Sequence, residues 1–160
     1  MDKYDLFRLF KLLHVICVVL LGSGFVIETI AGIWAGRARS VAEVRVYARL
    51  IAFSENWLSP AAAIGIAVFG YSAADRGGFD LGTTWLVIAQ VLFLAIVVLA
   101  LVFLRPAARR LQALANAAPD GPITPEIAAY LKSPLFPIVG SLDSLFFLFI
   151  IYLMVVKPAW

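Results

Sequence analysis

Acidic side chains inside long apolar stretches are the residues of this sequence that could carry chemistry. The acidic residues Glu28, Glu55 and Asp143 each lie one or two helical turns inside such a stretch, and all three fall at similar depth toward one face of the membrane. Because a charged group is costly in a bilayer, residues of this kind mark ion pathways and proton relays. Cation binding or proton transfer needs carboxylate oxygens that converge at one depth, so we hypothesise a buried acidic set. The simpler interpretation is pairing at the membrane interface with one of four basic residues, Arg45, Arg49, Arg105 or Lys132.

A lone histidine at the other end of the first apolar stretch heads a second polar set. His14 lies about two turns into that stretch, and Gln90, Tyr152 and Met154 fall at comparable depth in two later stretches. His14 is a candidate haem ligand, copper ligand or proton carrier, with the other three as candidate cofactor-binding neighbours. No H-x-x-x-H or C-x-x-C spacing accompanies it, so no firm metal site is predicted. The alternative is a neutral imidazole hydrogen-bonded to Gln90 or to a backbone carbonyl.

Small residues flank the acidic residue of the first stretch. Gly24 and Gly32 lie four residues on either side of Glu28, and Gly36 follows four residues later. Glycines at this spacing let a second helix backbone approach closely. We therefore predict that Gly24, Gly32 and Gly36 pack against a neighbouring helix, and that the stripe holding His14 and Glu28 faces the interior.

Four apolar segments must hold these side chains in position. A bilayer core takes about 20 apolar residues per helix. The sequence offers four such segments, at about residues 6–36, 50–74, 81–104 and 138–156. They predict an all-α membrane protein, a four-transmembrane-helix bundle that forms a single integral membrane domain over residues 1–160.

The second span has two candidate starting points. Ser40 and Glu43 form an S-x-x-E capping box, which favours a helix from residue 41 that continues into the membrane and is kinked by Pro60. A fresh start at Ser59-Pro60 is the alternative, but it leaves only about 22 Å of helix. We prefer the kinked continuous helix. The third loop is predicted to hold a helical stretch over 105–118 and a short interfacial helix from Thr124 to near Lys132.

The composition limits the classes of function. The chain is 63% hydrophobic and 14% charged, against roughly 25% charged for a soluble domain. The sequence has no G-x-S-x-G, no phosphate-binding glycine loop and no zinc motif, and no room for a soluble catalytic module. The formal charge of +3 comes from residues flanking the spans, where membrane lipids are the expected partners and nucleic acid is not. Whether the protein is an enzyme stays open.

Two short motifs carry a family resemblance. Residues 11–15 (KLLHV) and 21–24 (LGSG) resemble the opening of a family of uncharacterised bacterial integral membrane proteins, a domain of unknown function. The likeness extends through three further segments, 47–70, 84–94 and 105–118. The K-x-L-H-V opening is also similar to the copper-resistance D family and to membrane protoporphyrinogen oxidase. The resemblance to these two families implies haem or metal chemistry at His14. The chain has no second histidine, so a second histidine ligand would have to come from the other copy in a homodimer.

The basic residues predict an orientation in the membrane. The family resemblance implies that this membrane is a bacterial inner membrane. Eight of the 13 Lys and Arg residues lie in the first and third loops. The positive-inside rule then places loops 37–50 and 105–137 in the cytoplasm and both termini outside. The basic N-terminus, with Lys3, Arg8 and Lys11, argues in the other direction.

Three functions of different class follow from these patterns. The preferred one is binding of a cofactor, with haem as the leading candidate, or of a small ligand through His14. The second is an accessory or assembly subunit of a larger membrane complex or a homo-oligomer, since the chain is small and suited to helix contacts. The third is a proton- or cation-coupled transporter that uses Glu28, Glu55 and Asp143.

Overall fold

The computed structural model describes residues 2–159, and over these residues the chain is almost entirely helical, with no strand. The predicted fold class is confirmed, because four helical units are long and apolar enough to cross a membrane. In chain order the elements are α1 (Lys3–Arg37), α2 (Val41–Phe53), a π-helical segment (Ser54–Leu58), α3 (Ser59–Gly77), α4 (Thr84–Leu99), a second π-helical segment (Ala100–Leu104), α5 (Arg105–Ala117), α6 (Pro125–Leu131) and α7 (Leu135–Val156).

The helices reach beyond the apolar segments that the sequence assigns to the membrane. The unit 41–77 starts well before residue 50, with the Ser40 side chain accepting a hydrogen bond from the Glu43 N–H. The third unit starts at Thr84, because residues 80–83 form a turn held by Asp80, and it continues through α5 to Ala117. Much of loops 37–50 and 105–137 is therefore helix. The short interfacial helix predicted in the third loop corresponds to α6.

Each π-helical segment directly precedes a proline-containing turn. Pro60 and Pro106 are the second residues of the helices that follow. Proline has no N–H to donate, and its ring crowds the carbonyl four residues earlier. In the first segment the N–H of Ser59 donates to the carbonyl of Ser54, one residue further back than in an α-helix. The helix therefore widens for one turn and continues, as the preferred interpretation of the second span expects.

The four spans pack as two closely associated pairs. α1 lies along the whole of the α2–α3 unit, and α4 lies along α7. The pairs meet where the Phe25 ring contacts the edge of the Phe147 ring, 5.1 Å between centroids, with Gly22 beside Phe147. Opposite ends of the bundle differ. We call the end with α5 and α6 the basic end, and the end with residues 2 and 159 the terminal end.

The basic end has an apolar core of its own, formed by the last turns of α1 with α2, α5 and α6. Its buried side chains include Val44, Leu111 and Ile127. The Arg45 side chain crosses from α2 and donates to the carbonyls of Ala115 and Ala118, at 3.2 and 3.1 Å. α5 is thereby fixed against α2, and the connections form a folded layer. Its cytoplasmic orientation stays a prediction.

Candidate functional site

Three acidic residues from three different spans meet toward the basic end. Glu28 lies in α1, Glu55 in the first π-helical segment and Asp143 in α7. Glu28 and Glu55 are close neighbours, because Glu28 accepts a hydrogen bond from Ser59, the residue that follows the segment carrying Glu55. Asp143 lies close enough for its charge to act on Glu55, and the charge of Glu28 acts in turn on Asp143. We call these three residues the acidic cluster.

The π-helical segment turns Glu55 toward the interior. Glu55 is only 4% exposed, whereas Trp57, two residues later, is 72% exposed. Glu28 reaches the same place because it lies on the contact face of α1, between the buried residues Gly24 and Ala31. α7 brings Asp143 in from the opposite side of the bundle. The cluster therefore depends on the packing of three separate helices.

Asp143 is the most unusual member of the cluster. Its side chain is 1% exposed, and neither carboxylate oxygen has a hydrogen-bond partner among residues 2–159. A buried polar group without a partner costs free energy, and native proteins hold few of them. Such a group indicates a site that is kept for function at the expense of stability.

The acidic cluster does not form the interfacial ion pairs that the simpler interpretation expects. Within the described chain, salt bridges join Arg45 to Asp120 and Arg76 to Asp75, and neither includes a member of the cluster. The charge of Arg105 acts on Glu55, but its Nε atom donates to Asn56 at 3.0 Å. Within the described residues none of the four basic residues forms a salt bridge with the cluster, and pairing at the interface stays an alternative through the charge of Arg105.

Two serines that sequence reasoning missed complete the polar interior. The Ser59 hydroxyl donates to a Glu28 carboxylate oxygen at 3.4 Å, and Ser54 lies 3.5 Å from Ser59, oxygen to oxygen. A Cβ atom on Gly24 would lie 2.8 Å from the Ser59 oxygen and 3.0 Å from the Ser54 oxygen. The sequence held a signal for these two serines, because they flank Glu55 just before Pro60. Polar residues beside a proline inside an apolar stretch indicate a polar site in the membrane.

The arrangement is suited to binding and passing protons. Across the described residues, no group of three or more His, Cys, Asp or Glu side chains is placed to hold a metal. Carboxyl and hydroxyl groups in mutual contact can instead share and pass protons. Glu28, Ser59 and Ser54 form such a contact series, with Glu55 and Asp143 close enough to interact with Glu28.

His14 lies in the interface between α1 and α3, away from the acidic cluster. Its Nδ1 atom is 3.0 Å from the carbonyl oxygen of Ile66, and the ring rests against the backbone of Gly70. A carbonyl only accepts hydrogen bonds, so Nδ1 is the donor in this contact and Nε2 is the ring nitrogen left without a role in it. The alternative to cofactor binding is a hydrogen bond from His14 to Gln90 or to a backbone carbonyl, and the structure has a backbone carbonyl in this position.

The other candidate cofactor residues contact partners other than His14. The Gln90 side-chain oxygen accepts a 2.8 Å hydrogen bond from the Tyr71 hydroxyl, and its amide donates to backbone carbonyls. Met154 packs against the cluster of Trp85, Ala89 and Leu153. Tyr152 is exposed and stacks on Phe149 in its own helix. Each of these side chains therefore has a partner of its own: Gln90 bonds to α3, Met154 packs between α4 and α7, and Tyr152 lies on the surface of α7.

Of the three glycines predicted to pack, Gly24 alone is buried. No atom comes within 4 Å of the Cβ position of Gly32 or Gly36, and both are exposed. Each four-residue step rotates the helix by about 40° past a full turn, so Gly36 has drifted by about 120° from Gly24. The contact face instead follows Gly24, Ala31 and Ala35, whose spacing stays on one side.

Two glycines of α3 that sequence reasoning missed make the closest approach to α1. A Cβ on Gly65 would collide with the Cys17 sulfur, and a Cβ on Gly70 would lie 2.8 Å from His14 Nδ1. These glycines let the α1 side chains lie directly on the α3 backbone. The signal was available in the small-residue composition of residues 59–70.

Comparison with known proteins identifies the family. Residues 8–158 match the family model described as "Predicted integral membrane protein (DUF2269)". This covers nearly the whole chain, so the protein belongs to that family, and it is an integral membrane protein. Neither the curated proteins nor the solved structures gave a match.

Proposed function

We propose that this integral membrane protein is a proton-coupled transporter whose proton-binding group is the acidic cluster. The observation that carries the proposal is the unpartnered, buried carboxyl of Asp143, which interacts with the buried Glu55 and the partly buried Glu28. Ionisable residues at membrane depth that face the bundle interior are characteristic of proton relays in pumps and transporters. This choice differs from the preferred sequence-based hypothesis, which centres on His14.

The electrostatics of the cluster support proton binding. Three neighbouring carboxylates repel one another when all are ionised, and that repulsion is strong where water is scarce. Binding a proton removes one charge and lets one carboxyl donate a hydrogen bond to another. Because the salt bridges among residues 2–159 leave the cluster out, a proton is the simplest source of compensating charge.

The helix geometry around Glu55 supports movement at the site. Discontinuous helices commonly form the substrate and ion sites of secondary transporters, and π-helical turns often occur at functional sites. Here the π-helical segment Ser54–Leu58 carries Glu55 and lies directly before Pro60. A shift of this turn between π and α geometry would rotate Glu55 relative to Glu28 and Asp143.

Proton flux through reconstituted protein tests the proposal. Liposomes containing a pH-sensitive dye and carrying a potassium diffusion potential should acidify faster with the protein than without it. Glu55→Gln and Asp143→Asn should reduce the rate to that of empty liposomes. Glu126→Gln is the matched control, because Glu126 is exposed at the start of α6. Equal rates for all variants and the empty liposomes would reject proton movement by this protein.

A second candidate function is the binding of haem or another small ligand by His14. The observation that favours it is the Nδ1 hydrogen bond to the Ile66 carbonyl, because histidine ligands usually donate their other ring nitrogen to a carbonyl or carboxylate. A visible absorption spectrum of the purified protein, oxidised and then reduced with dithionite, tests it. A haem band that weakens in His14→Ala supports the assignment, whereas a featureless spectrum from haem-supplied cells rejects it.

A further inference from the structure

Two arginines of α5 share one acceptor at the basic end. The Nε atoms of Arg105 and Arg109 both donate to the side-chain oxygen of Asn56, at 3.0 and 2.9 Å. The Asn56 amide nitrogen donates to the carbonyl of Ala52 at 2.6 Å, which fixes the amide with its oxygen toward the arginines. The two Nε atoms therefore lie no more than about 6 Å apart, and the pair is held by a neighbouring helix.

This pair of like charges lacks an acidic partner at salt-bridge distance within residues 2–159. Like charges four residues apart on a helix destabilise it, and the shared amide oxygen carries no net charge to offset them. Glu55 attracts Arg105 from the interior, whereas Arg109 is exposed. Since both Nε atoms are used by Asn56, the terminal Nη groups remain as donors for an anion.

The surface around the pair is apolar on its membrane side. Trp57 follows Asn56 and is 72% exposed, a placement typical of a tryptophan at the membrane interface. Leu101 and Val102, one turn before Arg105, are 50% and 57% exposed. A ligand bound by both arginines would therefore have a charged part near the interface and an apolar part along the helices.

We propose that Arg105 and Arg109 form a binding site for the phosphate group of an anionic phospholipid, oriented by Asn56. Paired guanidinium groups are suited to phosphate because several N–H groups point at its oxygens. Basic pockets between transmembrane helices bind lipid headgroups in the same way. The exposed Trp57, Leu101 and Val102 favour a lipid over free phosphate, since they would lie beside acyl chains. The site is separate from the acidic cluster and does not rest on proton transport.

Native mass spectrometry of the detergent-purified protein tests the site. Phosphatidylglycerol is titrated as the probe, with phosphatidylcholine and inorganic phosphate in parallel. The wild type should retain phosphatidylglycerol in preference to phosphatidylcholine. Arg109→Gln should weaken its binding about tenfold, as expected for the loss of charge-assisted hydrogen bonds. Arg109→Lys, which keeps the charge but loses the planar donor group, should also bind more weakly than the wild type.

Arg110→Gln is the matched control, because it removes the same charge from the next position of α5, where the Arg110 guanidinium carbon lies 5.6 Å from the Tyr130 ring centroid. It should retain phosphatidylglycerol. Equal losses in Arg109→Gln and Arg110→Gln would mean non-specific attraction and would overturn the proposal. Competition by inorganic phosphate at the same concentration as the lipid would identify a free-phosphate site and overturn the lipid assignment.

Discussion

The hydroxyl oxygen of Ser59 lies 2.8 Å from the point that a Cβ atom on Gly24 would occupy. α1 and α3 can approach at the acidic cluster only because residue 24 has no side chain. Gly24→Ala should displace the serine hydroxyls and lower the free energy of unfolding by about 1–3 kcal/mol. Gly32→Ala is the control, since its Cβ meets no atom within 4 Å. Unfolding titrations in mixed micelles measure both, and equal stabilities would refute the close approach.

Replacing Asp143 by leucine should stabilise the protein while abolishing proton flux. Leucine has as many side-chain heavy atoms as aspartate, and it removes two buried oxygens without partners in the described chain. Substituting a buried ionic group by an apolar one of similar volume is often stabilising by about 1–4 kcal/mol. Thermal unfolding and liposome flux are measured on the same preparation. Ser141→Leu, on an exposed position of α7, should change neither. If Asp143→Leu destabilised the protein, the result would contradict the absence of a hydrogen-bond partner for the Asp143 carboxyl.

The hydrogen bond between Tyr71 and Gln90 should couple the second and third spans. The tyrosine hydroxyl donates to the glutamine oxygen at 2.8 Å. A double-mutant cycle of Tyr71→Phe and Gln90→Leu should give a coupling free energy of about 0.6 kcal/mol, the average for such bonds in membranes. Tyr71→Phe combined with Gln112→Leu, a residue of α5 at the other end of the bundle, should be additive. The idea fails if both cycles give the same coupling.

Arg45 should stabilise the basic end through its geometry as well as its charge. Its guanidinium donates to the Ala115 and Ala118 carbonyls, which lie at the end of α5, and pairs with Asp120 at 2.8 Å. Arg45→Lys keeps the charge but cannot make all three contacts, so we expect a loss of about 1–2 kcal/mol. Arg49→Lys, at an exposed position of α2, should have little effect. Equal unfolding free energies for the two variants would contradict this role.

The existence and type of the elements followed from local patterns. Long apolar stretches predict helical spans because a helix satisfies its backbone hydrogen bonds within a single segment in the bilayer. The cap at Ser40 and the proline at position 60 together predict one continuous helix kinked at Pro60, and the structure has the continuous helix. The π-helical turn itself was not predicted, because whether a helix kinks or widens before a proline depends on what packs around it.

The packing of α1 shows why a correct element does not fix its contacts. Gly24, Gly32 and Gly36 are separated by multiples of four residues, which suggests a packing stripe, but a repeat of four residues drifts around a helix. The neighbouring helices pack instead against the face of α1 whose buried residues include Ala31 and Ala35. Likewise, His14 and Gln90 share a depth yet bond to different partners, the carbonyl of Ile66 and the hydroxyl of Tyr71.

The sequence by itself determined an integral membrane protein of four helices, and it singled out Glu28, Glu55 and Asp143 as costly residues at similar depth. Hydropathy and helix periodicity are local quantities, and they are sufficient for that. Only the tertiary structure decided that Glu28, Glu55 and Asp143 interact with one another, and that His14 bonds to the Ile66 carbonyl while Gln90 bonds to Tyr71. Contact between residues more than 100 positions apart depends on how the helices are arranged and rotated, which is set by packing over the whole bundle.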